Sequence, residues 1–158
     1  MSQQQILIAG GYGVVGRRIA AELSRDYQVI VAGRRLESAQ GAAAAIGRGV
    51  RGRQLDVTIE TSIAEALKDI ATVVSCIDQP QRGLLHAAIA RGLWYTDITP
   101  HLVELGRGAA YEKIDASARA SGARVVLGTG IVPGISNVMV RAVADALGGA
   151  DVIETSLL

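Results

Sequence analysis

Ile6-Leu7-Ile8-Ala9-Gly10-Gly11-Tyr12-Gly13-Val14-Val15-Gly16 is the stretch whose reading decides the fold. It begins as an unbroken apolar run of strand length, the pattern of a strand buried on both faces of a parallel sheet. The glycines follow, and after them a segment of helical period. Gly11-x-Gly13-x-x-Gly16 has dinucleotide-binding spacing. A glycine-rich chain produces that spacing by chance as well; the strand before it and the helix after it are what distinguish this one. Each glycine has a physical job. Gly11 permits the tight turn out of the strand, Gly13 lets a pyrophosphate approach the backbone, and Gly16 lets the helix pack close to the strand. The first-turn N–H groups, those of Val14 and Val15 among them, then face the phosphates at the positive end of the helix dipole.

The second strand, residues 27–33, bears on cofactor choice. An NAD-binding unit carries an acidic residue about 20 residues past the glycines, where it binds the ribose 2′-OH. Here that place holds Gly33, followed by Arg34 and Arg35. No carboxylate is present to repel a 2′-phosphate. Arg34, with Arg35 beside it, offers a guanidinium that forks onto that phosphate or stacks on adenine. Two solvated arginines opening a helix would be poorly placed, because the dipole there is positive. NADP(H) is therefore the expected cofactor.

Composition bounds the rest. The chain has 158 residues, enough for one domain with a real core, and 49% of them are hydrophobic. Its formal net charge of +1 gives no reason to expect nucleic acid as a partner. Arginine dominates the positive charge, with Lys68 and Lys113 the only lysines, and phenylalanine is absent. Cys76 is the single cysteine, so no intrachain disulfide forms, which fits a reducing cytoplasm. No signal peptide precedes Ile6 and no apolar run is long enough to cross a bilayer, so no membrane association is expected.

Working outward, residues 14–25 read as the first helix, with Val15, Ile19, Ala20 and Leu23 as its apolar stripe. Residues 36–46 form an Ala-rich helix ending at Gly47. Residues 51–57 are a weak third strand. Asp56 closes it at the carboxyl end of the sheet, either in reach of the adenine amino group or as a turn residue. Ser62-x-x-Glu65 has capping-box spacing for the next helix. Residues 72–77 are the fourth strand, with Cys76 as a small buried apolar residue. Asp78-Gln79-Pro80-Gln81 forms a loop over the expected crevice. A helix follows with Leu84, Leu85, Ala88 and Ile89 inward; His86 on it is an ordinary helix residue, and no metal site is expected. Residues 94–99 make the fifth strand, and the residues around Asp97 should open onto the crevice. His101 qualifies as an acid or base by its pKa, but the sequence shows it no partner. A helix near 107–121 carries Tyr111, Ile114 and Ala118 on one face. After it come a sixth strand, 124–128, and a loop, 128–134, too glycine-rich to be filler. The last helix runs from about Ile135 to Leu147, with Ile135, Val138, Met139, Ala142 and Ala146 as its buried stripe. Alternating strands and helices of crossover length argue for a doubly wound parallel α/β sheet, a Rossmann fold, in the order 3-2-1-4-5-6.

At this point the chain resembles a family. The glycine loop, Val31-Ala32-Gly33-Arg34 and Leu55-Asp56-Val57 are similar to the NADP-binding domain of saccharopine dehydrogenases (saccharopine reductases). Val73-Val74-Ser75-Cys76 resembles that family's fourth strand. Tyr95-Thr96-Asp97-Ile98-Thr99 resembles its Tyr-Val-Asp-Val-Thr segment, and Gly130-Ile131-Val132-Pro133-Gly134-Ile135-Ser136-Asn137 its Pro-Gly-Leu-Ser-Asn stretch. The resemblance implies an NADP-dependent oxidoreductase that transfers hydride at a C–N bond of an amino-acid-like small molecule. It places Asp78 and Thr99 beside the nicotinamide. No catalytic acid or base is named by it. Two departures stand out: Asp78-Gln79-Pro80 replaces the usual Gly-Pro, and Pro100-His101 the usual Gly-Glu.

Residues 1–150 are thus expected to be the NADP-binding domain. Residues 151–158 read as a strand that begins a truncated substrate domain, so the chain alone should be inactive. Its exposed edge invites pairing with a second copy, a homodimer. A short-chain reductase would need Tyr-x-x-x-Lys, and none of the four tyrosines has a lysine four residues on. An NADP-sensing regulatory module of the NmrA type fits residues 56–77 equally well.

Overall fold

The computed structural model describes residues 4–106, 108–152 and 154. At its centre lies β1 (Gln5–Ala9), flanked by β2 (Gln28–Gly33) and β4 (Ile70–Ser75), both parallel to it. Outside these come β3 (Arg51–Gln54) beyond β2, then β5 (Trp94–Asp97) and β6 (Arg124–Val126) beyond β4. The order is β3-β2-β1-β4-β5-β6, a six-stranded parallel sheet, as the sequence predicts. The order reverses at β1. Crossovers therefore leave β1 in opposite directions, and a crevice opens beyond its carboxyl end.

The period of 2 along β1 divides the core. Leu7 and Ala9 join one cluster, with Ile30, Leu55, Leu84, Leu85 and Tyr95. Ile6 and Ile8 join the other, with Val29, Val31, Ala20 and Ala39. Helices α1 (Val14–Leu23) and α2 (Leu36–Ile46) contribute to the second cluster. Helices α3 (Glu60–Ala66), α4 (Gly83–Ala90) and α6 (Ala109–Ser121) contribute to the first. A short helix, α5 (Leu102–Leu105), precedes α6, and α7 (Ile135–Ala146) follows β6.

Several expectations are corrected. Strands β3 to β6 end earlier than the apolar pattern suggests, because the following residues leave the sheet to form crevice loops. Ser62-x-x-Glu65 does not cap α3. The helix starts at Glu60, after an Asp56–Thr58 turn, and Ser62 Oγ instead accepts the Asp56 N–H at 2.9 Å. On α1 the buried residues are Gly16 and Ala20, while Val15 is exposed; small residues bring the helix down onto the sheet. On α6, Ile114 and Ala118 are buried but Tyr111 is exposed. The largest correction concerns α7. No residue of it is buried, and Val138 and Met139 are 69% and 62% exposed. Its apolar stripe exists, but no element among the described residues covers it. Of the expected strand at 151–158, Asp151, Val152 and Glu154 are not in a strand, and the remaining residues lie outside the described ones.

Candidate functional site

The glycine loop is held from several sides. Gly10 takes the left-handed conformation, φ +76°, and its N–H donates to Ala32 O at 2.8 Å. The sharp exit from β1 is therefore made at Gly10 rather than Gly11. Gly11 is required for a different reason: a Cβ there would lie 2.8 Å from Val31 Cγ1 and 2.9 Å from Ile8 O. At Gly16 a Cβ would run into Gly10 O and approach Gly11 Cα to 2.8 Å, so helix and loop meet backbone to backbone. Gly13 differs. It is exposed, and the nearest atom to a Cβ there would be Gly10 O at 3.2 Å. Gly13 is also the N-cap of α1, and no side chain caps the helix there. The first intrahelical bond runs from Arg17 N to Gly13 O, leaving the N–H groups of Val14, Val15 and Gly16 without an intrahelical acceptor. No acidic residue lies in that first turn. This is a bare, positive helix end beside an open glycine, a cradle suited to an anion.

The end of β2 lies beside this loop. Gly33 is buried, and the Tyr12 ring packs directly on it: a Cβ at Gly33 would collide with Tyr12 Cε1 and sit 2.8 Å from Cζ. The Arg35 guanidinium stands over the same ring, 6.0 Å from its centroid. Arg34 and Arg35 are both exposed, and Arg34 O accepts from Gln54 Nε2 at 3.2 Å. Asp56 forms a turn with Thr58, accepting its N–H at 2.9 Å and its hydroxyl at 2.6 Å. Those bonds, the hydroxyl first, hold the Asp56 carboxyl below its usual range. The loop, Gly33, Arg34, Arg35 and Asp56 thus share the carboxyl edge of the sheet.

The other half of that edge holds Asp78, Thr99 and His101. Thr99 Oγ1 donates to Ile77 O at 3.0 Å, tying the two loops together. His101 Nε2 lies 3.5 Å from Asp78 Oδ1, the partner for His101 that the sequence did not reveal. The two places where the chain departs from the family pattern therefore touch. Cys76 just before them is a thiol rather than a thiolate, since burial pushes it up to about 11.

Asp97 does not open onto the crevice. It is fully buried and accepts from Arg82 Nη2 at 2.8 Å, while Arg82 also binds Glu104 at 2.7 Å. Burial works against the Arg82 charge, but the hydrogen bonds and charges of Asp97 and Glu104 more than offset it, and its pKa is raised. Gln79, also buried, donates to Ser75 Oγ and Tyr95 OH, both at 2.9 Å. Asp97 reaches forward as well: its Oδ1 accepts Gly128 N–H at 3.2 Å, and its carbonyl accepts Thr129 N–H at 2.8 Å. This network fixes the 128–134 loop relative to β5. Gln79, Arg82, Glu104 and Tyr12 escaped the sequence reading. The sole available signal was Arg82, a charge immediately before the apolar run of α4.

The 128–134 loop lines one side of an apolar groove of about 1100 Å³. Val15 and Ile19 of α1, Ile98 after β5, and Ile135 and Val138 of α7 complete its walls. Val15, whose N–H is one of the open donors of the cradle, also lines the groove, so the apolar trough reaches the first turn of α1. Other depressions lie elsewhere. One at the amino end of the sheet is lined by Arg25, Arg48 and Arg51, away from these residues.

The residues fit NADP(H): the cradle has open donors and no acid, and β2 ends in glycine and two arginines. Comparison with known proteins agrees. Residues 6–126 match the family model of the saccharopine dehydrogenase NADP binding domain. Among solved structures, apo saccharopine dehydrogenase (L-Glu forming) from Saccharomyces cerevisiae superposes with TM-score 0.77 at 23% identity, over 92% of this chain and 31% of that one. The NADPH-dependent quinone oxidoreductase from Escherichia coli, complexed with NADPH, gives 0.56 at 20% identity, over 77% of this chain and 47% of that one. The Citrobacter sp. triphenylmethane reductase complexed with NADP(H) gives 0.57 at 17%, over 77% and 48%. At these identities the structural likenesses show the fold alone. This chain spans less than half the length of each of the three. No curated protein sequence matches it.

Proposed function

Because the chain belongs to the saccharopine dehydrogenase NADP-binding domain family, we propose that it is the cofactor-binding part of an oxidoreductase that transfers hydride at a C–N bond of an amino-acid-like substrate. The observation that carries this reading is the uncapped end of α1 facing a β2 terminus of Gly33, Arg34 and Arg35, with no carboxylate in either. When bound, NADP(H) supplies the hydride. Gly11, Gly13, Val14, Val15 and Gly16 hold the pyrophosphate through backbone N–H groups and close approach. Arg34 and Arg35 bind the 2′-phosphate, and the free oxygen of Asp56 serves the adenine amino group. Asp78 and Thr99 border the nicotinamide end.

At that end His101 Nε2 lies 3.5 Å from Asp78 Oδ1. An imidazole beside a carboxylate is a pair able to exchange a proton with a substrate nitrogen. The apolar groove and the exposed α7 face offer the surface on which a substrate-binding domain would pack. Residues 1–158 then bind NADPH, and turnover needs a substrate-binding domain to hold the reacting carbon at the nicotinamide. The test has two parts. Fluorescence titration should show NADPH binding by residues 1–158. Activity with amino-acid-derived imines should appear only when a substrate-binding domain is joined to them. Robust turnover by residues 1–158 would refute the division of labour.

A further inference from the structure

We infer that Tyr12, not Gly33 alone, sets the cofactor preference: its ring occupies the space that an NAD-type carboxylate would need and presents a phenol to the 2′-phosphate. The inference rests on the NADP(H) reading above and concerns how that choice is enforced. The end of β2 is where a dinucleotide fold places the acid that binds a ribose 2′-OH. In this chain any side chain there must share its space with Tyr12. A Cβ on Gly33 would collide with ring atom Cε1, lie 2.8 Å from Cζ and 3.0 Å from Oη. The ring is not loosely placed. It packs on the core cluster containing Ile8 and Val31, and Arg35 stands over it. An aspartate at position 33 is therefore accommodated only if the Tyr12 ring gives up its place. What stands near that position instead is a phenol O–H donor with Arg35 over its ring. A phenol donates to a phosphate oxygen and carries no repulsive charge, whereas a carboxylate there would repel the phosphate. Tyr12 thus acts twice, by excluding the acid and by replacing it.

The experiment is a set of fluorescence titrations of residues 1–158 with NADPH and NADH, each variant checked for folding by circular dichroism. Tyr12→Phe keeps the ring and removes the donor. It should weaken NADPH about tenfold, the worth of one hydrogen bond to a charged group, and leave NADH unchanged. Gly33→Asp alone should bind neither nucleotide well. Tyr12→Ala combined with Gly33→Asp should bind NADH more tightly than NADPH. The inference is overturned if Gly33→Asp alone takes up NADH as well as the double variant does, or if Tyr12→Phe binds NADPH like the parent. Should Gly33→Asp fail to fold, the Tyr12→Phe comparison still decides. A parent chain that binds neither nucleotide overturns the cofactor reading itself, a result distinct from an unresponsive Tyr12.

Discussion

Asp97 Oδ2 accepts Arg82 Nη2 at 2.8 Å, and both side chains lie in the interior. A buried charge that loses its partner is left without water or counter-ion, which typically costs about 3–5 kcal/mol. Arg82→Met would strand Asp97 and Glu104 together, so we expect a loss of that order in urea unfolding. Asp97→Asn should cost less overall but should loosen the loop that Asp97 anchors, seen as faster hydrogen exchange at Gly128 and Thr129. Unchanged stability in Arg82→Met would mean that the pair is not desolvated.

Arg34→Glu places a negative charge beside the proposed 2′-phosphate position. NADPH binding should weaken by about 1.5–3 kcal/mol, the range for charged hydrogen bonds, with NADH little affected. Calorimetric titration with both nucleotides gives the answer directly. Equal affinities in the parent protein would remove Arg34 from the site.

Two glycines of the loop should fail in opposite ways. Gly13 is exposed and a Cβ there would meet only Gly10 O, at 3.2 Å, so Gly13→Val should keep the fold and abolish NADPH binding. Gly16 faces backbone that cannot step aside, so Gly16→Val should lower the melting temperature by the equivalent of about 1–3 kcal/mol or more. Thermal melts beside titrations separate these outcomes; a Gly13→Val protein that still bound NADPH normally would move the phosphate site elsewhere.

Stability should fall at alkaline pH. Burial raises Cys76 from 9.0 to about 11, and burial with the Asp97 charge raises Tyr95 from 10.0 to about 12. Above pH 9 the unfolded chain loses these protons before the folded one does, so it binds fewer protons and ΔG of unfolding declines with pH. The loss should develop between about pH 9 and 12, and Cys76→Ala should remove its early part. In the same vein, alkylation of Cys76 at pH 8 should be slow until denaturant is added.

Polar substitution on α7 should be nearly free. Val138→Ser and Met139→Gln remove exposed apolar groups and should change stability by less than about 0.5 kcal/mol. Binding of a hydrophobic dye to the chain should fall in parallel. A large destabilisation would instead show that the stripe is covered in solution.

Much of this was legible from local pattern. The apolar run at β1, the glycine spacing and the alternation of elements were sufficient for the strand order, since each depends on residues close in sequence. What escaped depends on pairs far apart along the chain. Asp97 looks like a polar residue at a strand end until Arg82, in a different segment, is seen to bury it. His101 lacks a partner until the β4 and β5 loops are placed side by side and Asp78 meets it. The α7 stripe is apolar as its period predicts, but it is not buried as expected, because amphipathicity says which face is apolar and not what lies against it. Tyr12 was invisible because a residue between motif glycines carries no signal of the strand its ring will meet.

The fit of Tyr12 on Gly33 also orders history. Were a descendant of this protein to switch from NADP to NAD, position 12 would have to shrink or give way before position 33 could gain an acid. The reverse order passes through a form that binds neither nucleotide and would be removed by selection. On the role inferred for Tyr12, cofactor use is guarded by a sequence of steps rather than by a single residue, and a laboratory that selects for NADH use should recover changes at position 12 first.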